Sequence, residues 1–417
     1  MTFKSKYIKL FIITTVILLL GALILQNKWT IYRYLLTSFL NLPEPIKAHM
    51  YLLSGKRNFS NVQNDYNVKF LPETQFLKID FYKKKIETER DMRLRYGAYL
   101  EEYGDYTYYI TKKGKFYKIL KSSIENKKQN LELSILDSNL DEIPNFFEVL
   151  DTLVVDNKIY ITTVNKYKTN CSFLNIYYSE IKDGLNFSIF KKFEECGVTD
   201  IRGGRLQNFT FNNKKGLLIS TGDFYIDNVD NRPQDQNSIW GKILFVDFKK
   251  KEHIVFSKGH RNPQGLFVKG NDIFSTEHGP KGGDEINKII FNGNYGWPKA
   301  SYGISYHNKR KYLKSHQKNG FEEPIYAFVP SIGISEIIIL PNSFHEKWID
   351  NAIVTTLFDR SIYRMKFRSS EFNEILYLEK IFIGERIRDI KYLKDDNLII
   401  LALEDTGAIG VLKPLKN

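Results

Sequence analysis

The 417-residue sequence predicts an all-β protein built from repeated units of similar size. Aromatic residues make up 14% of the chain, mostly Tyr and Phe, and such rings pack well on pleated sheets. From residue 65 onward, one pattern recurs six times: a polar turn followed by a β-rich run. A recurrence every 45 to 80 residues or so is typical of the four-stranded blades of a β-propeller. An all-β protein with unrelated hairpins is the alternative.

The recurring pattern begins with Gly, Asn or Asp, which are the residues that turns favour. It lies at residues 104–109, 156–161, 213–219, 270–275, 350–355 and 395–400. The longest interval contains a polar segment, Ser301–Glu323, which we interpret as an insertion within one repeat. Residues 65–417 are therefore predicted to form a single propeller domain.

Residues 1–28 predict an N-terminal transmembrane helix that serves as a signal anchor. Three lysines, Lys4, Lys6 and Lys9, precede an apolar run over Leu10–Leu25. That run is shorter than the roughly 20 residues of a spanning helix, but Lys9 can extend its charged end to the membrane surface. No small-residue cleavage site follows, which favours an anchor over a cleaved signal peptide. Because basic flanks stay in the cytoplasm, we expect the body on the periplasmic or extracytoplasmic side.

Residues 29–64 are expected to form an amphipathic helix and a linker. Apolar residues recur there at helical spacing, at Trp29, Tyr32, Leu35, Leu36, Phe39 and Leu40. Pro43 and Pro45 end the helix. The segment either continues the anchor, lies on the membrane surface or packs on the body.

The formal net charge is +13, but no helix-turn-helix, zinc-finger or RNA-recognition motif is present, so we expect no nucleic-acid partner. The lysines are scattered, as on a solvated surface or one attracted to anionic lipid and glycan. Two cysteines, Cys171 and Cys196, lie outside any CxxC motif. They either form a bridge in an exported protein or are two unrelated buried thiols.

The stretch Ser257–Pro298 is the part of the chain densest in glycine, proline and paired charge. Residues 266–276 alternate around a Gly-Asn-Asp turn and predict two short strands. Three sequence motifs stand out: GHRNPQGL at 259–266, EHGPKGGDEIN at 277–287 and NYGWP at 294–298. Glycine allows the backbone to approach a ligand closely, and backbone carbonyls can coordinate a cation.

These three motifs, in this order and spacing, resemble those of the soluble quinoprotein glucose dehydrogenases and aldose sugar dehydrogenases. The resemblance implies a six-bladed β-propeller that uses pyrroloquinoline quinone and Ca²⁺ to oxidise a sugar. It extends over most of residues 65–413 and is densest at 200–300 and 384–390.

In the resembling enzymes a histidine accepts the proton of the sugar hydroxyl while hydride passes to the quinone. The matching position, before Gly203–Leu206, is Ile201, and the chain has no histidine between His49 and His253. Isoleucine cannot accept a proton, so the catalytic base is missing. Asp223 matches the carboxylate that orients that histidine, and it is a candidate base if burial raises its pKa. Its alternative role is that of a turn residue bonded to backbone amides.

The same resemblance assigns cofactor-binding roles to five residues. Arg261 and Asn262 match the pair that contacts carboxylate and carbonyl groups of the quinone. Arg386 and Arg388 match the arginine pair that clamps its carboxylates, a task suited to the planar guanidinium. Phe358 stands where the family has a quinone-contacting lysine, so that contact is altered, although the ring could stack on a planar ligand.

Two calcium sites are also implied. Gly279 and Pro280 match the backbone carbonyls that hold the catalytic ion. Glu285, next to Asp284, and the backbone of Tyr295 match a structural calcium site, for which a solvated acidic loop is the alternative. Two functions follow as hypotheses: a membrane-anchored, quinone-dependent sugar dehydrogenase, or a propeller that lost the base and binds a carbohydrate or a protein partner in the cell envelope.

Overall fold

The computed structural model describes residues 77–90, 95–167, 171–197, 203–223, 231–306 and 312–415. Its β-strands form six blades around one channel, antiparallel except for the short parallel pair β5–β9, which confirms the predicted six-bladed β-propeller. The predicted anchor and amphipathic helix, residues 1–64, lie outside the described residues. Within those described ranges, no helix combines the length and the hydropathy needed to cross a membrane.

The blades follow one another along the chain. Blade 1 contains β2 (Ala98–Tyr103), β3 (Tyr106–Thr111), β4 (Phe116–Leu120), β5 (Leu133–Ser138) and β9 (Gly184–Leu185). Blade 2 contains β6 (Phe146–Val155), β7 (Lys158–Tyr167), β8 (Cys171–Glu180) and β10 (Ser188–Lys192). Blade 3 contains β11 (Gly203–Phe211), β12 (Lys214–Thr221), β13 (Lys242–Asp247) and β14 (His253–Lys258).

Blade 4 contains β15 (Pro263–Lys269), β16 (Asp272–Glu277), β17 (Asp284–Ile289) and β18 (Tyr326–Phe328). Blade 5 contains β19 (Ile334–Ile339), β20 (Asn351–Thr356), β21 (Ser361–Phe367) and β22 (Ile375–Phe382). Blade 6 contains β23 (Ile387–Leu393), β24 (Leu398–Leu403), β25 (Ala408–Pro414) and β1 (Ile79–Lys85). One short helix, α1 (Lys121–Glu125), follows β4, and the predicted insertion Ser301–Glu323 lies between β17 and β18.

The recurring sequence pattern marks the turn after the innermost strand of each blade. The residue at the turn has a positive φ in all six cases: Gly104, Asp156, Asn213, Gly270, Asp350 and Asn397. Glycine tolerates this conformation, and Asn and Asp adopt it more readily than other residues. The repeat is therefore readable in the sequence because the backbone needs the same few residue types at each turn.

The ring is closed without a covalent link, because β1 supplies the outer strand of the last blade. It pairs antiparallel with β25, from Ile79 opposite Pro414 to Lys85 opposite Ala408. Pairing of the first described strand with the last removes the open edge that a propeller would otherwise leave.

Both faces of each blade are buried against its neighbours, so successive residues of a strand serve different cores. In β12, Leu217 and Ile219 pack in the cluster between blades 2 and 3, whereas Leu218 packs between blades 3 and 4. This is why β24 is apolar along its whole length, and why β12 has three consecutive apolar residues, Leu217–Ile219, instead of alternating with polar residues. Burial of each such side chain stabilises the fold by about 1.5–3 kcal/mol.

One buried arginine crosses the channel and joins the innermost strands. Arg205 of β11 lies 2.9 Å from Asp151 of β6, 3.1 Å from Glu336 of β19 and 3.2 Å from Asp389 of β23. Its Nε and Nη2 donate to the carbonyls of Gln264 and Arg388, at 2.7 and 2.9 Å.

The three carboxylates also accept backbone N–H groups of a neighbouring blade, from Leu206, Leu266 and Leu100. Burial raises the pKa of Asp151 to about 6 and that of Glu336 to about 8, although Arg205 opposes both shifts. This network, which we call the channel hub, fixes the six inner strands relative to one another.

A disulfide joins Cys171, at the start of β8, to Cys196, with a Cα–Cα distance of 5.4 Å. Of the two possibilities left open by the sequence, the bridge is therefore the one found. Ser172 and Gly197 exchange backbone hydrogen bonds of 2.8 Å beside it. The bridge fastens the segment that leads from blade 2 to blade 3.

Candidate ligand site at the channel mouth

Residues that are distant in sequence meet where the inner strands begin, an end of the channel that we call the mouth. Arg261 and Asn262 directly precede β15, and Arg386 and Arg388 flank the first residue of β23. The channel hub lies immediately beside them, since Arg205 bonds to the carbonyls of Gln264 and Arg388.

Gln264 forms hydrogen bonds with both pairs of predicted cofactor ligands, the pair that precedes β15 and the arginine pair of β23. Its side-chain amide donates to Oδ1 of Asn262 at 2.9 Å, and its Oε1 accepts from Nη1 of Arg388 at 2.9 Å. The sequence assigned no cofactor-binding role to Gln264, although it lies within the RNPQG motif. The structure therefore brings together the four residues, and their roles toward a cofactor stay predictions.

Arg261 is held by backbone carbonyls. Its Nη1 donates to the carbonyl oxygens of His278 and Gly279, both at 2.8 Å, and its guanidinium lies 5.3 Å from the ring of Trp297. The side chain is buried, which lowers its pKa. Its Nε has no hydrogen-bond partner among the described residues.

The arginine pair of β23 is bound to a carboxylate of the chain itself. Glu404 accepts from Nε of Arg386 at 2.9 Å with one oxygen and from Nε of Arg388 at 2.6 Å with the other. Burial alone would raise the pKa of Glu404, but the guanidinium groups of Arg388 and Arg386 outweigh it and hold the pKa well below its usual range. Glu404 is 1% exposed and its contact with Arg388 is buried, whereas the side chain of Arg386 is 21% exposed.

Glu404 was missed because it becomes a neighbour only through strand register. Ile387 pairs with Leu403 between β23 and β24, and the backbone N–H of Glu404 donates to the carbonyl of Arg386. The clue in the sequence is an acidic pair, Glu404 and Asp405, directly after the apolar run of β24.

Phe358 lies beside the arginine pair and is 58% exposed. Arg386 donates from Nη1 to the carbonyl of the preceding residue, Leu357, at 3.2 Å. Arg360, two residues further, is bound to Asp405 at 2.9 Å. The position matched to the family's lysine therefore presents an apolar ring to solvent.

Asp223 is 1% exposed and bound to a tryptophan. Its Oδ2 accepts from Nε1 of Trp297 at 2.7 Å, and its backbone N–H donates to the carbonyl of Arg261 at 2.7 Å. These bonds fix the Trp297 ring next to Arg261. Ile201 lies outside the described residues, so its distance from Asp223 stays open.

The two predicted carbonyl ligands of the catalytic calcium have other partners. The carbonyl of Gly279 accepts from Arg261, and that of Pro280 accepts a long bond from Ser331 at 3.5 Å. A cationic guanidinium thus contacts a carbonyl that calcium would need. Gly279 itself must be glycine, because a Cβ there would collide with the backbone of Gly283.

The second predicted calcium site contains two carboxylates on adjacent strands. Glu285 lies directly opposite Glu277, and burial, reinforced by Glu277, raises the pKa of Glu285 well above its usual range. Nε2 of His316 lies 3.6 Å away, and Glu277, Glu285 and Tyr295 line one small cavity. The ring of Tyr295 stacks on that of His260, with centroids 4.6 Å apart.

Asp284, which adjoins this site in sequence, has a structural role. Its carboxylate accepts the backbone N–H groups of Ile332, Gly333 and Ile334 at 2.7–3.1 Å, and also that of Gly279. In the part of the chain that the structure describes, no group of three or more His, Cys, Asp or Glu side chains is placed to hold a metal.

Comparison with known proteins identifies the family. Residues 156–411, more than half of the chain, match the profile of the Glucose / Sorbosone dehydrogenase family. The chain belongs to this family. The matched residues include the RNPQG motif, the glycine-rich loop, Phe358 and the arginine pair. This is the family that the sequence motifs indicated.

Relatives of this glucose/sorbosone dehydrogenase-family chain include an aldose sugar dehydrogenase of Escherichia coli K12. It is 27% identical over 245 residues, which cover 54% of this chain and 64% of the relative. A Synechocystis protein of uncharacterised function is 28% identical over 250 residues, covering 54% of this chain and 60% of the relative. The chain thus spans less than two thirds of the length of these relatives.

Solved structures show the same fold. The apo aldose sugar dehydrogenase of Escherichia coli aligns with a TM-score of 0.63 and 20% identity, covering 81% of this chain and all of that one. A Streptomyces coelicolor aldose sugar dehydrogenase with bound pyrroloquinoline quinone aligns with a TM-score of 0.57 and 17% identity, covering 81% and 99%. Solved structures with this fold therefore include a propeller with bound quinone.

Proposed function

We propose that this chain binds an uncharged, aldose-type sugar at the channel mouth and oxidises it weakly or not at all. The observation that carries the proposal is that the mouth keeps Arg261, Asn262, Arg386 and Arg388 together while their polar groups are already bound within the chain, with the charges of Arg386 and Arg388 paired to Glu404. Membership of a sugar dehydrogenase family supports the sugar, and the internal pairing argues against the cofactor.

The residues at the mouth do not fit pyrroloquinoline quinone with a catalytic calcium ion. The quinone's carboxylates need the arginine pair, which Glu404 occupies, and the ion needs the carbonyl of Gly279, which Arg261 occupies. The absence of a proton acceptor at Ile201 adds to this, since loss of a general base typically costs about 10² to 10⁴ in rate.

An uncharged sugar fits the groups that remain. Nε of Arg261 is a buried donor without a partner in the described part of the chain, and a sugar hydroxyl would satisfy it once the side chains that cover it move aside. Phe358 offers an exposed ring on which the apolar face of a sugar ring can pack. Phe358 directly follows Leu357, whose carbonyl accepts from Arg386 of the mouth.

Calorimetric titration of the quinone-free protein with aldoses and short oligosaccharides tests this function. Phe358→Ala should weaken binding by about tenfold, which corresponds to 1.4 kcal/mol. Phe291→Ala is the matched control, because Phe291 is also partly exposed but packs on Phe211 away from the mouth. Equal affinity of wild type and Phe358→Ala, or no sugar binding at all, would contradict the proposal.

Calcium fits the second site better than the first. A cation held by the carboxylate of Glu285 and the backbone carbonyl of Tyr295 would neutralise the buried pair of Glu285 and Glu277. Such an ion would have a structural role, since neither residue of the arginine pair lines the cavity that Glu285 and Tyr295 share.

We further propose that the propeller is exported and held at the membrane by residues 1–28. The apolar run Leu10–Leu25 behind three lysines supports an anchor, and the Cys171–Cys196 bridge supports an oxidising compartment. Fractionation with protease protection tests it. Recovery of the full-length chain in the soluble cytoplasmic fraction would contradict it.

A further inference from the structure

We infer that Glu404 is a built-in occupant of the Arg386–Arg388 pair that excludes carboxylate-bearing ligands, the quinone included, and restricts the mouth to uncharged ones. This inference rests on the proposed sugar site and names the residue that sets its ligand class. It follows from three features of the described residues: geometry, charge balance and burial.

The geometry is that of a ligand carboxylate. Each oxygen of Glu404 faces a different arginine, with N–O distances of 2.9 Å to Arg386 and 2.6 Å to Arg388. Two further donors of the pair are also used, since Nη1 of Arg386 reaches the carbonyl of Leu357 and Nη1 of Arg388 reaches Gln264. An incoming carboxylate would have to displace Glu404 to form the same contacts.

The charge balance extends to the next residue. Asp405 binds Arg360 at 2.9 Å and accepts the backbone N–H of Arg386 at 3.2 Å. The dipeptide Glu404-Asp405 thus supplies two negative charges against the three positive charges of the arginines on this side of the mouth. On the other side, the carbonyls of His278 and Gly279 hold the guanidinium of Arg261.

Burial makes the occupancy persistent. The side chains of Glu404 and Arg388 are 1% and 8% exposed, so the contact is poorly screened by water and salt. Expelling Glu404 would leave a buried carboxylate without its partners, or require it to reach solvent through the strand pair β23–β24. An additional anion beside it would meet like charge. Neutral hydroxyl groups do not have to expel Glu404 and are not repelled by its charge.

The test is Glu404→Gln, which keeps the shape and removes the charge. Binding of pyrroloquinoline quinone and of benzene-1,3,5-tricarboxylate is measured by absorbance and calorimetry on the full-length chain. Wild type should show no saturable binding of either compound. Glu404→Gln should bind both saturably, with an affinity at least about tenfold above the upper limit that the wild-type titration sets.

Glu379→Gln is the matched control. Glu379 forms an equally buried pair with Arg364, at 2.6 Å, between β21 and β22 and outside the mouth. It should leave anion binding as in wild type. Should Glu404→Gln not fold, the double variant Arg386→Gln/Glu404→Gln restores the charge balance, and Arg388 should still give tighter tricarboxylate binding than wild type.

Saturable quinone binding by wild type overturns the inference, as does a folded Glu404→Gln or double variant that binds no tricarboxylate more tightly. The sugar proposal fails separately. If Glu404→Gln gains anion binding but wild type binds no sugar, Glu404 still excludes carboxylates and only the sugar assignment is wrong.

Discussion

Replacement of Arg205 by methionine tests the channel hub most severely. The change removes the cation that faces Asp151, Glu336 and Asp389, each less than a tenth exposed. Removing one partner of a buried ion pair typically destabilises a protein by about 3–5 kcal/mol. Because three carboxylates and two carbonyls lose their partner together, we expect a loss of unfolding free energy at the upper end of that range at pH 8.

The loss should depend on pH with a definite sign. Burial raises the pKa of Glu336 from 4.5 to about 8, so the folded state binds more protons than the unfolded state between these values. Stability therefore falls as pH rises through that window. Without Arg205, which lowers this pKa, the dependence should become steeper, and Arg205→Met should recover part of its stability at pH 5.5.

Denaturant unfolding followed by tryptophan fluorescence at pH 5.5 and pH 8 measures both effects. Arg364→Met is the control, because Arg364 is equally buried but faces one carboxylate, that of Glu379. Arg364→Met should lower the unfolding free energy by less than Arg205→Met does, and this loss should depend less on pH. An Arg205→Met variant as stable as wild type at pH 8, or more stable there than at pH 5.5, would refute the account of the hub.

Three further outcomes are expected. Replacing Cys171 and Cys196 together with serine should lower the unfolding free energy by about 3 kcal/mol, since the bridge closes a loop of 25 residues; a double variant whose denaturant midpoint is unchanged would contradict this. Ile201→His should raise dye-linked aldose oxidation with added quinone and Ca²⁺ only when Phe358→Lys and Glu404→Gln are also present, whereas a gain from Ile201→His alone would show that Glu404 does not exclude the quinone. Ca²⁺ should raise the melting temperature of wild type but not of Glu285→Gln, as differential scanning fluorimetry would show, and equal shifts would remove Glu285 from the cation site.

The fold could be predicted from the sequence because each repeat requires the same few residue types at its turn. Turns such as Asp156-Asn157 and Gly270-Asn271 need a residue with positive φ, and few residue types serve. The apolar runs of β12 and β24 likewise follow from burial on both faces. Neither feature depends on knowing which blade lies beside which.

The site could be predicted in its membership but not in its electrostatics. The family resemblance located Arg261, Asn262, Arg386 and Arg388, which do meet at the mouth. The partners that decide their chemistry, Glu404 above all, become neighbours only through strand register. Asp223 shows the same limit, because its indole partner stands 74 residues further along the chain.

The most direct test of the central claim is a calorimetric titration of the quinone-free wild-type chain with matched neutral and carboxylated sugars, such as aldoses and the corresponding uronic acids. Our account predicts saturable binding of a neutral sugar and none of its uronic acid, because Glu404 already fills the arginine pair. Preferential binding of the uronic acid, or sugar binding that appears only after quinone and Ca²⁺ are added, would contradict it.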